Sequence, residues 1–195
     1  MVNHWERPGW RPDTRAFYWM LIPDSDTFIA QVLECQRALS HLRFDAVDRA
    51  DLHLTLGRIG DADSLSQTAL RNLGVAARDL VPASFDLAAV PLTASTGAIR
   101  YSVAPWDPIL ELHTALGAAG KRHGVTQGRS TASLRPHIGI AYCNRPMSAD
   151  AVRANLSPLR SLPPVLMRMD NVQLVELRRR GNSYTWTTIH RIPLR

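Results

Sequence analysis

Lysine is almost absent from this chain: Lys121 is the only one among 23 basic residues, and the rest are arginine. Cysteine is nearly as scarce. Cys35 and Cys143 stand far apart with no CxxC spacing, which excludes a disulfide framework or a cysteine zinc site and fits a reducing compartment. No HxH or HExxH spacing occurs, so no metal is expected, and no cofactor. The chain has no Walker loop, no GxGxxG between strand and helix and no GxSxG elbow, which removes the commonest routes to nucleotide triphosphate, dinucleotide and serine-hydrolase chemistry. No apolar run approaches the roughly 20 residues of a membrane span. The opening Met1-Val2-Asn3-His4-Trp5-Glu6-Arg7 leads into no apolar segment of the secretory kind. The protein is therefore expected to be soluble, cytoplasmic and monomeric, without a membrane partner.

What remains is a chain able to build a core. It has 195 residues, 45% of them hydrophobic, enough for one sizeable domain or two small lobes. Its formal charge is +6 and its isoelectric point about 10.1. An anionic partner suits that balance, and arginine can grip phosphate oxygens in a two-pronged way that lysine cannot.

The pattern along the chain alternates strands and helices. Residues 1–15, with Trp5, Pro8, Trp10, Arg11 and Pro12, read as an extended arm. Residues 16–22 read as a buried strand. Asp24, Ser25 or Asp26 can cap a helix whose inner side carries Phe28, Ile29, Val32, Leu33, Leu39 and Leu42. A strand near residues 50–59 follows. Asp61 or Asp63 is expected to open a second helix with Leu65, Leu70, Leu73 and Leu80, ended by Pro82. Strands over 84–90 and 98–104 flank a turn, and Pro108 starts a third helix with Ile109, Leu112 and Leu116 inward. A polar loop over 125–134 precedes a strand over 135–142. Ser148 caps a fourth helix reaching Leu159, and Pro163-Pro164 ends the connection. The chain closes on a hairpin over 171–178 and 184–192 around Gly181-Asn182. The expected fold class is α+β, with two similar lobes, each a sheet with flanking helices, facing each other within one domain over 1–195.

Two segments carry the chemistry. Leu52-His53-Leu54-Thr55-Leu56 and Pro136-His137-Ile138-Gly139-Ile140 each alternate apolar residues with a histidine and the residue two places on. Strand geometry puts those two on the face opposite the apolar residues. Two imidazoles presented from separate strands can supply one general base and one general acid, the requirement for cleaving a phosphodiester without a metal.

His53-Leu54-Thr55-Leu56 resembles the H-x-(Thr/Ser)-x motif of the two-histidine phosphoesterase superfamily, in its 2′-5′ RNA ligase and cyclic phosphodiesterase branch. Arg135-Pro136-His137-Ile138-Gly139-Ile140-Ala141 is similar to the second motif, commonly Pro-His-x-(Thr/Ser)-Leu-Ala. Val172-Gln173-Leu174-Val175-Glu176 with Gly181 and Tyr184 resembles the closing hairpin, and the Trp- and Pro-rich start resembles the arm of a bacterial subgroup. The resemblance implies a bilobal fold with a pseudo-twofold axis and an active-site groove between concave sheets. It implies action on a 2′,3′-cyclic phosphate or a 2′-5′-linked nucleotide or RNA end, with no cofactor, and leaves reverse 2′-5′ joining open. His53 and His137 would be base and acid in an order the motifs do not assign, and Thr55 would donate to a non-bridging phosphate oxygen. Gly139 departs from the motif, since it offers no hydroxyl. The alternative reading is therefore a catalytically weakened module that binds nucleotide or RNA.

Further candidates surround these. Arg135 precedes the second motif and is within reach of a phosphate. Tyr142 shares the parity of Ile138 and Ile140, which assigns it to the core, while its place after the motif makes it a candidate substrate contact. Tyr18, Trp19, Trp106 and Trp186 are candidates to stack on a base. Trp5 and Trp10 belong to no periodic segment and either cover the groove or staple the arm to the body. His4 has no evident role.

Overall fold

The computed structural model describes residues 1–8 and 11–195; Trp10, a candidate substrate contact, lies outside the described residues. Thirteen regular elements follow in order among the described residues. They are β1 (Arg15–Leu21), α1 (Asp26–Ala38), β2 (Asp45–Ala46), β3 (Leu54–Asp61), α2 (Gln67–Arg78), β4 (Phe85–Ala94), β5 (Ala98–Ala104), α3 (Asp107–Arg122), β6 (His137–Tyr142), α4 (Ala149–Leu156), β7 (Val165–Met169), β8 (Asn171–Arg180) and β9 (Ser183–Pro193), with short 3₁₀ turns between them. This is an α+β fold. No helix among the described residues is long and apolar enough to cross a membrane.

All nine of these strands join one antiparallel sheet in the order β7-β4-β5-β6-β3-β1-β8-β9, with β2 added to β6. The sheet is thus continuous across the two expected lobes. Its halves, β7-β4-β5-β6 and β3-β1-β8-β9, meet where the two histidine-bearing strands lie side by side, through the pair Leu54 and Ile138. Helices α1 and α4 pack on strands of the first half, and α2 and α3 on strands of the second. The apolar layer between helices and sheet contains Phe17, Trp19, Leu21, Leu54, Leu56, Tyr101, Ile138 and Ile140, all buried.

Local chemistry explains the boundaries. Ser25 caps α1 by accepting from the Phe28 amide at 3.3 Å, and Ser148 caps α4 through Ala151 at 3.4 Å. The second helix begins later than expected. Residues Ala62–Ser64 form a 3₁₀ turn, so neither Asp61 nor Asp63 caps it, and Ser66 accepts from the Ala69 amide instead. Leu33 is exposed rather than inward, and Leu39 and Leu42 fall beyond the end of α1. Helix α4 stops at Leu156, and the stretch to Ser161 is 3₁₀. Strands β2 and β7 are additions to the expected order.

The arm is not extended throughout. His4–Glu6 form a 3₁₀ turn capped by Asn3, whose side chain accepts from the Trp5 amide at 3.1 Å. The turn rests on the sheet face away from the helices, where Trp5, Met20, Val175, Leu177 and Tyr184 form a second apolar cluster. The Trp5 indole donates to Asp45 Oδ2 at 2.7 Å, the Arg179 guanidinium stacks over its ring, and the His4 amide donates to the Cys143 carbonyl at 2.7 Å. Trp5 is 5% exposed, so it staples the arm to the body. His4 now has a role as well. Its ring is buried, stacks on Tyr142 at 4.0 Å and hydrogen-bonds through Nε2 to the Tyr184 hydroxyl at 2.8 Å; Arg7 donates to that same hydroxyl at 3.0 Å.

Burial, with Arg7 and Arg179 nearby, pushes His4 down to about 3, from the ordinary 6.5. An unfolded or undocked arm takes up a proton near the ordinary value, whereas the docked arm resists protonation until about pH 3. The arm's docking is therefore at full strength above the ordinary imidazole value and weakens progressively as pH falls toward 3. Trp5 emission and proteolysis within residues 1–12 followed from pH 7 to pH 4 are expected to report undocking. In a His4→Phe variant that pH dependence is expected to disappear.

Candidate active site

The site is built at the seam between β3 and β6. Leu54 is paired with Ile138, and both side chains enter the helix-covered core. Alternation then turns His53 and Thr55 on one side, and His137 and Gly139 on the other, toward the open face. Continuing the antiparallel register places Thr55 beside His137 and Gly139 beside His53. Four residues from two segments far apart in the chain thus share one patch.

Both histidines are oriented by the same device. The Nδ1 of His53 lies 2.8 Å from the Asp51 carbonyl, and the Nδ1 of His137 lies 2.7 Å from the Arg135 carbonyl. A carbonyl only accepts, so each Nδ1 carries the proton and donates it. In the neutral ring the lone pair then resides on Nε2, the nitrogen pointing away from the backbone. The tautomer is fixed by main chain two residues upstream, where no side-chain substitution can remove the acceptor. Trp186 from β9 sets its ring edge-to-face against His53 at 5.2 Å, which limits ring rotation.

Both imidazoles hold protons less tightly than a free histidine. Burial is the main cause in each. The backbone hydrogen bond works against it, while a positive charge nearby adds to it: His137 for His53, and Arg100 and Arg129 for His137. The charge of His137 thus reaches the His53 ring.

The remaining candidates separate clearly. Thr55 sits on the open face beside Met20 of β1, and its hydroxyl has no protein partner among the described residues. A Cβ at Gly139 would meet the Tyr142 side chain, hydroxyl first, at 3.7 Å, an ordinary van der Waals contact. Arg135 directs Nη1 to the carbonyls of Ala132 and Leu134 at 3.0 and 2.8 Å, which ties that nitrogen to its own loop. Tyr18 and Trp186 border the aromatic cluster on the open face. Trp19 is on the opposite face, 1% exposed in the core, and Trp106 lies at the start of α3 with its indole donating to Val103.

Tyr142 departs from its sequence parity. Between β5 and β6 the pairs run Ile99 with Ala141 and then Arg100 with Gly139, leaving Ile140 as an extra residue. This bulge shifts the alternation by one, so Tyr142 leaves the face of Ile138 and Ile140 and joins that of Gly139. It stacks on His4 there and closes one side of the patch, next to a small pocket lined by Ala46, Asp48, Asp51, Asn182 and Tyr184. Burial raises its hydroxyl pKa well above the ordinary value. His4 and Arg100 are members of this neighbourhood that sequence reasoning misses. Distance along the chain hides the first, and only the strand register reveals the second.

Among the described residues, no three His, Cys, Asp or Glu side chains are grouped to hold a metal ion. The comparisons with known proteins concern the whole framework. No curated protein matches the sequence. Among solved structures, a phosphoesterase superposes with a TM-score of 0.68 at 16% identity, over 93% of this chain and 99% of its own. Escherichia coli LigT in its apo form gives 0.68 at 15% identity over 93% and 98%, and it has also been crystallised with 3′-AMP, ATP, NADP+ and phosphate. TT0787 of Thermus thermophilus gives 0.67 at 18% identity over 92% and 98%. At these identities the likeness is one of fold. A sequence model of the 2′-5′ RNA ligase superfamily matches residues 25–181, a span that includes both histidine segments, the sheet seam and the first strand of the closing hairpin, and the chain belongs to that superfamily.

Proposed function

We propose that this protein is a metal-independent phosphodiesterase that opens a 2′,3′-cyclic phosphate, or cleaves a 2′-5′-linked nucleotide or RNA end, by general acid–base catalysis between His53 and His137. The observation that carries this reading is the matched pair of Nδ1 anchors. They leave two Nε2 atoms on one open patch, each free to take or give a proton. E. coli LigT, with the same fold, binds 3′-AMP and phosphate, which supports a nucleotide phosphate as the ligand class.

In the proposed reaction the neutral imidazole removes a proton from water as its oxygen attacks phosphorus. The bond from phosphorus to the ribose oxygen breaks, and the protonated imidazole delivers its proton to that oxygen. The product is a phosphomonoester beside a free hydroxyl, and the two histidines end with their protonation states exchanged. Thr55 donates to a non-bridging oxygen during the step. Tyr18, Tyr142 and Trp186 offer ring surface for the nucleoside. Microscopic reversibility allows the same groups to join ends. The glycine at position 139 favours the second reading, a site that binds the nucleotide and turns it over slowly.

Two outcomes are expected. With EDTA present and a panel of 2′,3′-cyclic nucleotides and 2′-5′ dinucleotides, His53→Ala and His137→Ala should each lower kcat/KM by roughly a hundredfold to ten-thousandfold while thermal unfolding stays close to wild type. Turnover retained in both variants rules the mechanism out; wild-type binding without turnover selects the binding module. The second outcome concerns pH. Catalysis needs one imidazole neutral and one protonated, and burial lowers both proton affinities, so kcat/KM should trace a bell whose maximum lies on the acidic side of the ordinary imidazole value. A maximum on the alkaline side would contradict it.

A further inference from the structure

The phosphoryl group between the two imidazoles has two non-bridging oxygens. On the β3 side Thr55 offers a hydroxyl. On the β6 side the corresponding residue is Gly139, which offers no side chain. The register shows what faces that gap. Arg100 of β5 is the residue paired with Gly139, and Ser102 is paired with His137. Paired residues on adjacent antiparallel strands project to the same face, with Cβ positions about 5 Å apart. Arg100 and Ser102 therefore stand on the open face, while Ile99, Tyr101 and Val103 between and beside them are buried in the core.

We propose that Arg100 is a phosphate-binding residue of this site, its guanidinium extending over Gly139 to hold the non-bridging oxygen that a hydroxyl at position 139 would otherwise serve. Three observations converge on it. Gly139 carries no side chain, and what a Cβ there would meet is the Tyr142 side chain, no nearer than 3.7 Å. Among the described residues Arg100 has no hydrogen-bond or ion-pair partner in the protein, in contrast to Arg15, Arg58, Arg153, Arg168 and Arg178, each of which pairs with a carboxylate. Its charge also reaches His137, as does that of Arg129 in the loop before β6. A half-buried arginine without a partner, beside a catalytic candidate and over a glycine, has the geometry of an anion site. The assignment also explains how the site dispenses with its second hydroxyl: a delocalised cation supplies two or more donors where the hydroxyl supplies one. The substrate is constrained accordingly. The group bound there presents a charged phosphoryl oxygen to β5, so phosphodiesters are accepted and neutral phosphotriesters are not.

This assignment rests on the phosphodiesterase reading of the same groove, and the test separates the two. Inorganic phosphate is titrated into wild type, Arg100→Gln and Arg100→Lys at low salt, with the histidine imidazoles followed by NMR and turnover of a 2′,3′-cyclic nucleotide measured in parallel. Arg100→Gln is expected to weaken phosphate binding about tenfold or more, and Arg100→Lys to recover part of it. Without phosphate, the His137 imidazole should titrate at higher pH in Arg100→Gln. The charged groups facing His137 are Arg100 from β5, Arg129 from the loop and His53 from β3, and only the first is altered. A purely structural role would move neither reading. Among the described residues the Arg100 guanidinium makes no hydrogen bond or ion pair, so thermal unfolding should be unchanged, and Arg100→Lys separates charge from shape if it is not. Equal phosphate affinity in wild type and Arg100→Gln, or no phosphate binding by wild type, overturns the assignment. Arg100-dependent phosphate binding without any turnover upholds it and removes the phosphodiesterase reading instead.

Discussion

Leu54 facing Ile138 across the seam of the sheet is the constraint on which the site depends. Each side chain is buried under the helices, and removing either from water contributes about 1.5–3 kcal/mol. That gain fixes which way the two strands face. With Leu54 and Ile138 directed down, the strand period leaves His53, Thr55, His137 and Gly139 no direction but up. The geometry of the candidate site is thus stabilised by core packing rather than by contacts among the polar groups themselves. The open face can hold two imidazoles, and a hydroxyl and an arginine side chain without partners among the described residues, because the opposite face supplies the stability.

Fixing the strands does not fix the rings, and here the backbone intervenes. Asp51 and Arg135 contribute only their carbonyls, each two residues before its histidine. Because both anchors come from the main chain, the two rings are oriented alike despite different neighbours. Their environments still differ. His53 leans on Trp186 and lies nearer the aromatic cluster, while His137 lies toward the arginines of β5 and the loop. That asymmetry is what would divide base from acid.

The histidine segments were legible because a period of two with apolar flanks is a local property, and so were most strands and the caps Ser25 and Ser148. Features set by three-dimensional context were harder to read. The start of α2 moved from Asp61 or Asp63 to Ser66 because a 3₁₀ turn intervenes, and nothing in Ala62-Asp63-Ser64 announces one. Strand β7 alternates buried and exposed residues but directly follows Pro163-Pro164, which masked it as the end of a connection. His4 could not be placed, since its partner Tyr184 is 180 residues away. Arg100 looks like any other strand arginine until the pairing of β5 with β6 sets it beside Gly139.

The bulge at Ile140 carries a consequence of another kind. One surplus residue switches the faces of the strand, so that Ile140 and the tyrosine two places on, although matched in parity, belong to opposite sides of the sheet. Side chains along β6 can be exchanged one at a time with local effects. What must be kept is the bulge or its absence together with the count: straightening the surplus residue into regular pairing would turn the ring into the core and strip His4 of its stacking partner, whereas deleting that one residue would restore strict alternation with the ring still on the open face. A relative one residue shorter here can therefore keep its arm docked on the same ring, while one of equal length without the bulge cannot.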